Sequence, residues 1–176
     1  ENLKLQKEKR PIPNFDALAA ESVPVDRLLK GGDTLSLEPG LTLEVVATPG
    51  HSADGLSFRL VEQGVIFTGD AIPAPGDIPI YEDWQASLHS LDTLRKVEAD
   101  WFCPAWDKVY TREEAMAVIA QGEALIGGIQ RMVQDLAAGQ PELDKLVDAV
   151  CLRLGRPQLR EHPLFRRTVA CHRKND

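Results

Sequence analysis

Two short stretches of this chain carry residues suited to metal chemistry. The first is Ala47-Thr48-Pro49-Gly50-His51-Ser52-Ala53-Asp54-Gly55, and the second is Phe67-Thr68-Gly69-Asp70-Ala71. Each places a metal-capable side chain where a hydrophobic strand ends. Imidazole and carboxylate are both good zinc ligands, and a carboxylate can also bridge two cations. Gly50 and Gly69 stand beside them and are expected to leave room for an ion or a substrate. Taken singly the two residues say little. A loop histidine is more often a hydrogen-bonded structural residue, and Gly-Asp after a strand is a common turn.

The elements that must hold these residues can be read from periodicity. Gly31-Gly32-Asp33 and Glu38-Pro39-Gly40 are turn chemistry bracketing a short strand, Thr34 to Leu37. Leu41 to Val45 and Leu56 to Leu60 alternate apolar and polar residues, as a sheet with one buried face requires. Glu62-Gln63-Gly64 turns the chain into the apolar run Val65-Ile66-Phe67. The connections are too short for crossover helices, so an antiparallel meander is expected over this region. A Pro- and Gly-rich loop follows Asp70, then a helix with Trp84, Leu88, Leu91 and Leu94 at helical spacing, then a strand at Trp101-Phe102-Cys103. From Thr111 the pattern is helical. Thr111 with Glu114 fits a capping box, and a long apolar stripe from Ala115 to Leu136 ends at Gly139. A second helix is expected from Pro141 to Gly155 and a third around Leu164 to Cys171. Near the start, Asn14 fits the cap of a short helix over residues 15–20.

The order is strand, Thr-Pro-Gly-His-Ser, alternating strand, turn, apolar strand, Thr-Gly-Asp. It resembles the third and fourth motifs of the metallo-β-lactamase superfamily, over roughly Val25 to Tyr110. The resemblance implies an α+β fold: the C-terminal half of a metallo-β-lactamase-like αβ/βα sandwich over residues 1–110, with a helical extension over residues 111–176. It also implies that His51 completes a three-histidine zinc site and that Asp70 is the carboxylate bridging two metals. In the family such a centre activates water for attack on a carbonyl or phosphorus centre. The family's main His-x-His-x-Asp-His signature is absent here, and His89, His162 and His172 form no substitute cluster. At Cys103-Pro104-Ala105-Trp106-Asp107, where many members carry Pro-x-His-Gly, Trp106 takes the histidine's place, and indole does not bind zinc. Asp107 is the tentative replacement ligand. The plainer alternative is that Trp106 packs and Asp107 caps or turns the chain.

Two ligands do not make a catalytic site, which usually needs three protein ligands and an open position. The resemblance therefore implies a zinc hydrolase in a longer parent, acting on a small-molecule ester, thioester or phosphoester, with this chain alone inactive and binding zinc weakly or not at all. A non-catalytic binding or oligomerisation module with a degenerate metal site is the alternative. Half a sandwich would leave an apolar sheet face uncovered, so a homodimer is expected. A formal charge of −7 argues against nucleic acid and anionic membranes as partners. No apolar run reaches the roughly 18 residues of a membrane span. Three widely spaced cysteines suggest neither a disulfide framework nor a thiolate metal site, and a cytoplasmic location is the expectation. The loop from Ile72 to Ile80, with Tyr81 and Trp84 after it, is expected to form one wall of the pocket.

Overall fold

Residues 24–137, 139 and 141–173 are described by a computed structural model of the chain, so the helix expected after Asn14 lies outside the described residues. Strands β1 (Thr34–Glu38), β2 (Leu41–Ala47), β3 (Leu56–Leu60) and β4 (Val65–Gly69) form the antiparallel meander that the alternation predicts. The Glu62 carboxylate accepts from the Thr42 amide and hydroxyl, both at 2.7 Å, and pins the β3–β4 turn against the start of β2.

Helix α1 (Trp84–Lys96) then carries the chain back, and β5 (Trp101–Pro104) lies parallel to β4. Strand β6 (Tyr110–Thr111) closes a six-stranded sheet in the order β1-β2-β3-β4-β5-β6. The parallel pair is the departure from an all-antiparallel sheet. A parallel neighbour needs a crossover, and α1 supplies it. Asp83 starts α1 by accepting from the Ala86 amide at 3.0 Å. Ser87, Ser90, Leu91 and Leu94 form its buried face at helical spacing.

Helix α2 (Arg112–Ala137) begins with the expected capping box. The Thr111 amide donates to Glu114 at 2.9 Å, and the Glu114 amide donates to Thr111 Oγ1 at 3.3 Å. A Lys108 ammonium and the Thr111 amide hold the Glu114 carboxyl down to about 2. At 26 residues α2 spans about 39 Å, and its single apolar stripe serves two cores. Its first half, through Ala115, Val118, Ile119 and Ile126, packs with Ile66 and Phe102 of the sheet and with Leu91 and Leu94 of α1. Its second half, through Ile129 and Val133, packs with α3 (Leu143–Arg153), a 3-10 turn (Pro157–Glu161) and α4 (Pro163–Cys171). Full burial of each Leu or Phe in these cores contributes roughly 1.5–3 kcal/mol.

The opposite sheet face is apolar throughout its centre. Register places Leu35, Leu43, Leu60, Val65 and Trp101 in one row, and Val45, Phe58, Phe67 and Cys103 in the next. Val45 is buried, whereas Phe67 and Trp101 are each 46% exposed. Among the described residues, no helix is long and apolar enough to cross a membrane.

Helix α4 docks through a residue that sequence spacing leaves without a partner. His172, just past its end, is 3% exposed, stacks on Trp84, accepts from or donates to Tyr81 Oη at 2.8 Å, and meets Gln130 Oε1 at 2.6 Å. Burial pulls its imidazolium from the ordinary 6.5 down to about 4. The unfolded chain therefore takes up this proton first. Stability is full above the ordinary value and drains as pH falls towards 4, by about 2 kcal/mol near pH 5. Urea unfolding near pH 7.5 and pH 5 should show that loss, and His172→Gln should flatten it. An equal pH dependence in the variant would show that other groups carry the effect.

Candidate metal centre

His51 and Asp70 meet at the ends of β2 and β4, as the spacing of the two motifs predicts. Strands β2 and β4 flank β3 in the sheet, so the loops that follow them open at the same edge. His51 Nε2 lies 3.9 Å from Asp70 Oδ2, and both side chains are more than a third exposed. Its other ring nitrogen, Nδ1, is 2.9 Å from the Ile80 carbonyl oxygen. A carbonyl can only accept, so Nδ1 carries the proton, and in the neutral ring it is Nε2, the nitrogen nearer Asp70, that holds the lone pair. This is the arrangement by which an outer hydrogen bond fixes a ligand histidine's tautomer. Two donor atoms about 2.0–2.1 Å from a tetrahedral zinc lie roughly 3.4 Å apart. The 3.9 Å separation is close to that value, and His51 and Asp70 fit as two members of a ligand set.

The two residues line a cleft of about 340 Å³ together with Thr48, Ser52, Asp54, Phe58 and Thr68. Thr68 is 1% exposed, and its hydroxyl has no hydrogen-bond partner. Gly69, at φ +54° with no atom within 4 Å of a added Cβ position, does leave space beside Asp70. Gly50 serves a different purpose from the one its position suggests. A Cβ there would meet the Ser87 backbone at 2.6 Å, so the missing side chain admits helix α1 and not an ion.

The Trp106 loop enters the site directly. The Ala105 amide donates to the Gly69 carbonyl at 3.0 Å, and Trp106 Nε1 donates to Asp70 Oδ1 at 2.5 Å. Trp106 is nevertheless 78% exposed, so its indole lies over the rim and does not pack inside. Asp107 is bonded within its own loop. Its carboxylate accepts from the Tyr110 hydroxyl and, at 2.7 Å, from the Lys108 amide. The Tyr110 bond holds the Asp107 carboxyl below its usual range, while burial and Asp107 push the Tyr110 phenol up to about 12. Among the described residues, no three His, Cys, Asp or Glu side chains gather closely enough to hold a metal ion. Cys103 lies behind the loop in β5, and burial raises its thiol.

The Pro-rich loop plays two parts that the sequence does not separate. Pro73, Pro75 and Pro79 line another cavity of about 300 Å³, against Leu125 of α2 and Leu154, Arg156 and Leu159. Ile80 alone reaches His51, through its backbone, and Tyr81 turns inward to α4. Sequence patterns give no sign of a backbone contact of this kind, because a carbonyl that accepts from a ring is placed by chain path and not by residue type.

Comparison with known proteins places this geometry. The family model described as metallo-β-lactamase superfamily matches residues 2–106. A hydroxyacylglutathione hydrolase of Brucella ovis is 38% identical over 87 residues, which are 48% of this chain and 33% of that protein. The Brucella abortus protein of the same name matches to the same extent. The chain's match spans about a third of the length of these relatives. Among solved structures, a metallo-β-lactamase family protein from Thermus thermophilus superimposes with a TM-score of 0.66 at 18% identity, covering 96% of this chain and 56% of that one. A β-lactamase domain protein from Burkholderia ambifaria gives 0.69 at 20% identity, covering 86% and 47%. These likenesses concern the fold, and the first extends over the C-terminal helices as well as the sheet. With more than half of its residues matched by the family model, the chain belongs to the metallo-β-lactamase superfamily.

Proposed function

We propose that this chain supplies His51 and Asp70 to the metal centre of a zinc-dependent thioester hydrolase whose remaining ligands lie outside the described residues. The observation that carries the reading is the clamped His51 ring, its free Nε2 aimed at Asp70 across 3.9 Å at the mouth of a cleft. Bound zinc would supply a Lewis acid and a water of lowered pKa. Within this chain, His51 and Asp70 would hold the ion, the Ile80 carbonyl would keep the imidazole in the ligating tautomer, and Thr68, Phe58 and Ser52 would border the substrate. Thioesters are favoured over other esters because the Brucella relatives are named for an acylglutathione, which is a thioester. The apolar sheet face takes the complementary half of the sandwich, and a second copy of the chain when that half is missing.

A second reading rests on Trp106. Its N–H occupies an Asp70 oxygen that a metal would use, as expected of a binding module whose metal site has lapsed. One preparation tests both readings. The isolated chain, saturated with zinc, desalted and passed through size exclusion with light scattering, should elute as a dimer holding less than about a tenth of an equivalent of zinc, because two ligands are too few. It should not hydrolyse acyl thioesters. Near-stoichiometric zinc with metal-dependent turnover would show a complete site in this chain, and a monomer at tens of micromolar would remove the docking role of the sheet face.

A further inference from the structure

The strap formed by residues 79–83 connects the candidate ligand to the last helix. On one side the Ile80 carbonyl accepts from His51 Nδ1 at 2.9 Å, and the Glu82 and Asp83 amides donate to the Gly50 carbonyl at 2.7 and 3.2 Å. On the other side Thr168 of α4 donates its hydroxyl to the Pro79 carbonyl at 2.9 Å and accepts from the Tyr81 amide at 3.2 Å. The Ile80 carbonyl and the Tyr81 N–H belong to the same peptide unit, and a peptide unit is planar and stiff. One rigid plate therefore bonds His51 with its oxygen edge and Thr168 with its nitrogen edge. Thr168 is 0% exposed and Tyr81 is 2% exposed, so water cannot replace the bond between them. The Tyr81 ring is fixed in turn by His172, beyond the end of α4, and Glu82 pairs with Arg167.

We propose that Thr168 is a positioning residue for the metal centre: through the Ile80–Tyr81 peptide it sets the direction of the Ile80 carbonyl, and thereby the tautomer and orientation of His51. The role in metal binding rests on His51 being a ligand, whereas the mechanical link does not. It gives the helical extension a purpose at the site, although α4 contributes no side chain to the cleft. A Thr168 hydroxyl that merely caps its own helix would stabilise α4 without touching His51.

Thr168→Val keeps the shape of the side chain and removes its hydroxyl. In the metal-free full chain, nitrogen NMR of the His51 ring should show the Nδ1–H tautomer before the change and a mixture after it. Exchange of the Glu82 and Asp83 amides should quicken at least about tenfold, with exchange in β4 and β5 unchanged. Thr168→Ser should restore both. Zinc binding should weaken at least about fivefold, less than the roughly 10–100-fold typical of partners that touch the ligand directly, because Thr168 acts through one peptide unit. An unaltered His51 tautomer in a folded Thr168→Val chain would overturn the proposal. Should that variant fail to fold, the unaltered chain decides. In rising sub-denaturing urea the His51 ring shifts should change in step with Tyr81 amide exchange, and independent changes would overturn it. The ligand assignment is tested separately by zinc titration of His51→Ala, where an unchanged dissociation constant would remove the metal but not the link to Thr168.

Discussion

Replacing Gly50 by alanine is expected to lower stability by about 3 kcal/mol and to displace His51. Gly50 sits at φ +133°, a conformation that L side chains rarely adopt, and holding a non-glycine residue there costs about 1–3 kcal/mol. The added Cβ would also lie 2.3 Å from Ser87 Oγ and 2.6 Å from both Cα and N of Ser87. The hydroxyl can rotate away, but the backbone atoms cannot. Helix α1 would have to retreat, and it is tied down nearby. Ser90 Oγ donates to the Pro49 carbonyl at 2.6 Å, and the two strap amides bond Gly50 itself. Forcing extra volume into such a contact typically costs a further 1–3 kcal/mol or so. Gly69→Ala is the control, since φ is +54° there and a Cβ meets nothing within 4 Å. It should cost only about 1–2 kcal/mol for the left-handed backbone. Urea unfolding of both variants measures the difference. A Gly50→Ala chain no less stable than Gly69→Ala would mean that the strand end and α1 separate easily, and that the site is softer than its hydrogen bonds indicate.

Much of this architecture was legible in the residues because one face of each element is dry. Alternation from Leu41 to Leu60 and helical spacing from Ala115 to Leu136 are the marks that burial leaves on a chain, and each element appears where they fall. The capping box at Thr111 is equally local: the four residues from Thr111 to Glu114 suffice to state it. Legibility ends where a structure depends on chain path. The position of β5 beside β4 is fixed by where α1 lands, and that is set by packing of Leu91 and Leu94 on Ile66 and Phe102.

The site divides in the same way. His51 and Asp70 carry short motifs and could be picked out, but their supports could not. Ile80 acts through its carbonyl, Thr168 through a contact 87 residues away in sequence from Tyr81, and His172 through burial that its position near the end of the chain does not announce. Trp106 was readable as a missing histidine. That its N–H would point at Asp70 required the loop's actual course, set by the Ala105–Gly69 hydrogen bond.

That course makes Trp106→His the second experiment with a large expected effect. The imidazole ring superimposes on the five-membered ring of indole, with Nε2 falling where Nε1 lies in the wild-type residue. Nε1 is 2.5 Å from Asp70 Oδ1, and His51 Nε2 is 3.9 Å from the other Asp70 oxygen. The substitution thus exchanges a proton donor, which competes with a metal for the carboxylate, for a lone pair directed at the same space. Three convergent ligands are the number at which catalytic zinc sites ordinarily become stable. Zinc affinity should rise at least about tenfold, equivalent to about 1.4 kcal/mol, read by competition with a chromophoric chelator. The side chain is 78% exposed, so little packing is lost and the fold should be unchanged. Trp106→Phe separates the two contributions, because it removes the N–H and adds no ligand. If Phe tightens zinc as much as His does, the indole was acting as a competitor alone and the third ligand must come from elsewhere. If neither variant gains, Asp70 is not aimed at a metal, and the reading of this edge of the sheet as half of a zinc centre fails with it.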